Sequence, residues 1–216
     1  MKKILSCGLR LLLILVLLVV LLVVAFIGCT HIFSESYRTE DPSEYLQITG
    51  HITNEGMDVH SGLFVFPASI EGLEDVEYRY SCKYDGLFND CMIYLKATYS
   101  DAEYAAEVER LSNITCSVSA FGVNAENSIL YSEDLFRYPA YIAIYDCDLS
   151  YEYALVDDAT NTIVYIYLNL YEVDGFLPEE YFPLEYMDAE ILGGSNWENH
   201  NIYYTAGDGM YIYYKD

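Results

Sequence analysis

The chain is predicted to be an α+β protein: mostly antiparallel sheet built from hairpins, with one or two short helices, preceded by an N-terminal membrane helix or signal peptide. Three observations point there. Alternating apolar and polar residues recur in pairs of short runs around Gly- and Asp-rich turns. A single downstream stretch has clear helical spacing behind a capping signature. The first thirty residues pair a basic start with an uncharged apolar run.

Lys2, Lys3 and Arg10 precede that run, which extends for 17 residues from Leu11 to Ile27 and closes on Gly28-Cys29-Thr30. A helix rising about 1.5 Å per residue makes it roughly 25 Å long, a little short of a hydrocarbon core of about 30 Å. Counting on to Thr30 gives 20 residues, enough to span. The flanking positive charges all lie on the N-terminal side, which places the N-terminus in the cytoplasm and everything beyond Glu35 outside. The chain therefore divides into residues 1–29 (signal peptide or anchor), a tether over 30–40, and an acidic extracytoplasmic domain over 41–216.

Asp41-Pro42-Ser43-Glu44 carries an N-cap acid, Pro at the first helical position and an acid three after the cap, predicting a short helix over 42–47. Leu63–Phe66 reads as an apolar strand stopped by Pro67. Val76–Tyr84 and Cys91–Tyr99 form the clearest hairpin, turning around Asp85-Gly86. The register that sets Cys82 opposite Cys91 also sets Tyr80 opposite Ile93 and Tyr78 opposite Leu95. The other side of the ribbon then carries Arg79, Ser81, Lys83, Tyr94 and Lys96, as a sheet buried on one face requires.

Ser100-Asp101-Ala102-Glu103 is a capping box, and Tyr104, Val108 and Leu111 follow at helical spacing, predicting an amphipathic helix over 101–112 packed across the sheet. Thr115–Phe121 reads as a strand, followed by a turn at Asn124–Asn127. Tyr138–Cys147 is a further strand. Tyr151–Tyr171 is a second hairpin about Asp157–Thr162, with Tyr151, Tyr153 and Leu155 on one face with Val164, Ile166 and Leu168. Leu177–Glu180 begins one helical turn that Pro183 ends, and a last hairpin joins Asn201–Thr205 to Met210–Tyr214.

Four cysteines lie in the outer domain: Cys82, Cys91, Cys116 and Cys147. An even number outside the cytoplasm suggests disulfides. Hairpin register favours Cys82–Cys91 and leaves Cys116–Cys147 by elimination. No CxxC pair or neighbouring His cluster suggests zinc, so no metal site is assigned.

Beyond residue 28 the chain holds all 34 acidic residues but seven basic ones, a formal charge of −27, and all 24 tyrosines. That imbalance repels nucleic acid and anionic headgroups and favours cations, basic proteins or simple solubility, a solvated acidic surface being the plainest reading. The tyrosines suit strands with half-buried faces.

The chain has no GxSxG elbow, HExxH, P-loop or GxGxxG, so no catalytic residue and no cofactor is assigned. His51 and His60 read as surface or structural groups, and Asp146, Asp148, Asp157 and Asp158 as ordinary members of an acidic surface rather than a calcium site. The most site-like stretch is Gly193–Asn201, where Trp197, the one tryptophan, stands beside Glu198 and His200. Such an aromatic with flanking polar groups suits a sugar-binding loop, although a loop whose Trp packs onto the sheet is the plainer reading.

Ala25-Phe26-Ile27-Gly28-Cys29 resembles the lipobox of bacterial lipoproteins, which implies lipidation at Cys29. An uncleaved signal anchor and plain secretion are the alternatives. The rest of the chain is similar only in style to anchored extracytoplasmic proteins of Gram-positive bacteria. The reading is a membrane-anchored binding protein for an unidentified protein or carbohydrate, with no nucleic-acid partner. The alternatives are a cell-envelope enzyme acting on carbohydrate and a sensory or regulatory subunit of a membrane complex.

Overall fold

The computed structural model describes residues 14–24, 35–45, 63–84, 89–120, 123–146, 150–169, 177–184 and 200–202. The chain falls into two units, Met1–Ser36 with Lys83–Asn89, and Tyr37–Cys82 with Asp90–Asp216. In the first unit residues 14–24 are helical, and the side chains from Ile14 to Val24 are between 51 % and 67 % exposed. Among the described residues no helix is long and apolar enough to cross a membrane.

The strands are β1 (Glu35–Thr39), β2 (Glu74–Tyr84), β3 (Asn89–Thr98), β4 (Thr115–Ala120) and β5 (Val123–Ser128). They continue with β6 (Leu130–Ser132), β7 (Ala140–Asp146), β8 (Ser150–Asp157), β9 (Thr162–Asn169) and β10 (His200–Asn201), and α1 (Asp101–Ser112) lies between β3 and β4. The main sheet runs β1-β2-β3-β9-β8-β7-β10, and β6 shares the outer edge of β7 with β10. A separate ribbon joins β4 to β5. The expected mostly antiparallel α+β architecture is what forms.

Local chemistry accounts for most of these elements. Ser100 accepts from the Glu103 amide while the Glu103 carboxylate returns to the Ser100 amide, so the capping box starts α1 where the sequence places it. Asp41 caps a 3-10 turn at Pro42–Glu44 by accepting from the Ser43 amide, and a second 3-10 turn spans Glu179–Tyr181. The β8–β9 register pairs Tyr151 with Leu168, Tyr153 with Ile166 and Leu155 with Val164, as the alternation predicts. Asn161 closes that hairpin with φ of +52°, a conformation its short amide tolerates. Cys82 and Cys91 are joined by the expected disulfide.

Four expectations are corrected. The predicted turn at Asn124–Asn127 is strand: these residues pair with Ser119 down to Cys116, and Ala120 opposes Val123. A polar run pairs as readily as an apolar one when its side chains face solvent, so composition alone does not make it a turn. Cys116 is a free thiol, raised in pKa by burial, so the Cys116–Cys147 bridge is not formed; Cys147 lies outside the described residues. The sheet is also not buried on one face alone. Tyr94, assigned to the polar side, is 1 % exposed and belongs to a second apolar cluster.

The two clusters lie on opposite faces of the sheet. The first gathers Tyr80, Ile93, Leu95, Ala154 and Tyr165 beneath Tyr104 and Leu111 of α1. The second gathers Tyr94, Ile142, Tyr153, Leu155 and Ile166 beneath Phe136, Leu177, Tyr181 and Phe182. A bulge at Ala143 keeps Ala143 and Ile144 on one face and returns Tyr145 to the other. Seven strand tyrosines, 78, 80, 94, 145, 151, 153 and 165, are at most 2 % exposed, so tyrosine here is core material rather than half-buried surface.

The remaining correction concerns residues 63–66, predicted as a strand. The backbone here pairs with ionisable side chains instead of a neighbouring strand. Glu152 is fully buried on β8, and its Oε1 accepts from the Phe64 amide and, at 2.8 Å, from the Val65 amide. Arg110 on α1 donates from Nη1 to the Phe64 carbonyl at 3.1 Å and from Nη2 to the Val65 carbonyl at 2.5 Å. Arg110 is held in turn by Glu107 at 2.7 and 2.8 Å. The Tyr165 hydroxyl donates to Glu107 at 2.8 Å and lies 2.6 Å from the Tyr99 hydroxyl. Burial opposes the charge on Arg110, but its hydrogen bonds and proximity to Glu107 outweigh this and raise its pKa.

Burial pushes the Glu152 carboxyl up to about 7, against the two amide donors and the Arg110 charge, which favour ionisation. The folded state thus holds a proton that the unfolded state releases from about pH 4.5 upward. This contribution to stability is fully present below pH 4.5 and is lost as the pH rises to about 7. His200 acts with the opposite sign: burial lowers it to about 4, so its contribution is present above pH 6.5 and lost as the pH falls toward 4. Glu152→Gln keeps one acceptor oxygen without a titratable proton. It is expected to remove the Glu152 slope in denaturant unfolding between pH 4.5 and 7 while leaving the His200 slope in place. Glu152→Leu strands two amides and is expected to cost about 2–5 kcal/mol.

Removing the Cys82–Cys91 bridge, which closes a separation of nine residues, should lower stability by about 2–3 kcal/mol in Cys82→Ala/Cys91→Ala. Equal urea midpoints for this variant and the parent would refute that contribution.

Candidate functional site

A groove of about 620 Å³ opens on the second face of the sheet. Its floor is the apolar surface of Leu155 and Val164, where β8 and β9 present one side of their pleats. One wall is aromatic. Tyr138 and Tyr181 line it with ring centroids 6.1 Å apart, and Tyr181 stacks at 6.1 Å on Tyr94 behind it. The Arg79 guanidinium lies 5.4 Å from the centre of the Tyr94 ring. Tyr181 is placed by the 3-10 turn that Pro178 begins, and the Tyr153 hydroxyl donates to its carbonyl at 2.8 Å. Burial raises the Tyr181 phenol to about 12, so it stays neutral through the physiological range.

The remaining walls are polar. Lys96 donates to Glu77 Oε1 at 3.0 Å, and the Tyr94 hydroxyl lies 3.4 Å from Glu77 Oε2. This pair is solvent-facing, with side chains 31 % and 50 % exposed. Asp157 accepts from the Ala159 amide at 3.0 Å and from the Thr160 hydroxyl at 2.8 Å, so its carboxylate is occupied by its own turn. The Thr160 and Thr162 hydroxyls lie 3.0 Å apart, and Thr98 reaches Thr162 at 3.4 Å. Asp75, at the rim, is exposed and takes φ of +47°, a left-handed conformation uncommon for a non-glycine residue. The groove thus offers carboxylates, hydroxyls and aromatic rings around an apolar floor.

The described site residues named from the sequence, His200, Cys82, Cys91 and Cys116, do not line the groove. Cys29, Trp197 and Glu198 are outside the described residues. His200 sits in β10 opposite Tyr145 and does not line the groove; burial keeps its imidazole neutral near pH 7. Cys82 and Cys91 are buried structural groups. Among the described residues no group of three or more His, Cys, Asp or Glu side chains gathers as metal ligands. The alternation of the first hairpin did set Tyr94 and Lys96 on the side that becomes this groove. Its aromatic wall comes from Tyr138 and Tyr181, which no local motif marks.

Searches against protein-family models, curated proteins and solved structures found no match to this chain.

Exposed ion pairs contribute little to stability because solvent screens them. Glu77→Gln is accordingly expected to shift the unfolding free energy by less than about 1 kcal/mol. A loss of several kcal/mol in chemical denaturation would show that the pair is structural.

Proposed function

We propose that this chain is an extracytoplasmic binding protein held at the cell membrane by its N-terminus. The single observation that carries the binding reading is the groove itself. On a sheet otherwise covered on both faces, it leaves hydroxyls and carboxylates open to solvent beside a tyrosine wall and an apolar floor. The anchoring reading is supported by the basic start, the uncharged run and Gly28-Cys29. It is supported also by helical residues 14–24, whose apolar side chains point outward all round. A helix apolar on every side suits lipid better than water. In this reading Cys29 is the lipidated residue and the acidic domain faces outward.

Cys29→Ala distinguishes the modes of attachment. Expressed in a bacterial host, the parent should partition with membranes at the mass of a chain cleaved before Cys29 and diacylated. The variant should retain its full unprocessed mass. Parent and variant both membrane-bound at full mass would refute lipidation in favour of an uncleaved anchor, and both soluble at a shortened mass would refute anchoring altogether.

A further inference from the structure

The groove's charge and its aromatic wall specify a ligand class more narrowly than binding alone. Three carboxylates line it, Asp75, Glu77 and Asp157, against one ammonium, Lys96. The whole chain carries a formal charge of −24, so its long-range field also draws cations toward that opening. Both recognition elements are already used by cations of the protein itself. Glu77 holds the Lys96 ammonium at 3.0 Å, and the tyrosine row carries the Arg79 guanidinium over Tyr94 at 5.4 Å. Tyrosine faces attract cations through the ring quadrupole, and neutral Tyr181 extends that row into the groove.

We propose that this groove binds small organic polycations of the di- and polyamine class. The proposal rests on the reading of the chain as a binding protein and names the chemistry of its ligand. One ammonium head meets Asp75 and Glu77, exchanging with Lys96. The methylene chain lies along Leu155 and Val164, and a second head approaches the face of Tyr181. A volume of about 620 Å³ accommodates a molecule of this size. Anions are disfavoured by the same three carboxylates.

The test is calorimetric titration of the full-length protein in neutral detergent micelles with spermidine, beside 1,8-octanediol and a neutral oligosaccharide, cellotetraose. Spermidine is expected to bind at one site and the diol not at all. Glu77→Gln and Asp75→Asn should each weaken spermidine about tenfold, a single lost charge contact, with thermal midpoints confirming that both variants fold. Lys96→Met removes the competing ammonium and should tighten it. Glu109→Gln, on the exposed side of α1 and away from the groove, changes net charge by the same amount and should leave affinity unaltered. Equal weakening by Glu109→Gln would overturn the proposal, since attraction would then follow net charge alone. Binding of cellotetraose in place of spermidine, lost in the groove variants, would overturn the amine assignment while sustaining the binding protein. If none of the three compounds bound, the amine assignment would fall and the groove would lose its support as a binding site.

Discussion

A carboxyl group from the sheet and a guanidinium from the helix grip the backbone of the same two residues. Glu152 takes the amides of Phe64 and Val65, and Arg110 takes their carbonyls. A chain segment between a helix and a sheet normally leaves its backbone unpaired or meets water, and neither is acceptable in an apolar interior. Here two ionisable side chains complete it. That arrangement lets Val65 and Phe66 enter the first core without extending any strand. It also orders the surrounding polar groups, since Arg110 needs Glu107, Glu107 accepts from Tyr165, and Tyr165 meets Tyr99. Helix, sheet and crossing segment are therefore connected by polar bonds as well as by apolar contact.

Tyrosine makes this possible on a larger scale. Its ring fills core volume, while its hydroxyl can still reach a partner at the edge of a layer. Tyr45 donates to the Pro67 carbonyl, Tyr153 to the Tyr181 carbonyl, and Tyr104 to Asp158. Ring pairs such as Tyr45 with Tyr78, and Tyr145 with Tyr151, meet edge to face. A protein with many tyrosines can thus cover both faces of one sheet with rings and still satisfy the covering segments.

The groove arises where the second cover stops. Tyr138 and Tyr181 mark its limit, and beyond them the same pleats continue into Glu77, Lys96, Thr98 and Thr162. The opening is bounded by buried strands and by the β8–β9 turn, where Asp157, Thr160 and Thr162 are joined by hydrogen bonds. Preorganisation of this kind reduces the ordering cost of binding. The surplus of acid over base, a property of the whole chain, becomes a local property at this opening.

Much of the fold was legible because much of it is local. Two-residue alternation places the β2–β3 and β8–β9 hairpins, a capping box starts α1, and cross-strand register brings Cys82 to Cys91. Each depends on residues close in sequence or joined by one turn. The turn misplaced at Asn124–Asn127 shows the limit of composition: polar residues sit comfortably in a two-stranded ribbon. Glu152 shows it more sharply, since a lone acid between Tyr151 and Tyr153 looks like an outward-facing strand residue. Its burial depends on Phe64 and Val65, nearly ninety residues earlier in the chain. The pairing of β3 with β9, the second apolar face and the wall of the groove likewise rest on contacts between distant segments. Local periodicity and turn chemistry determine which elements form and which side of each is apolar. Long-range packing decides what covers those sides, and where the cover ends a site is left open.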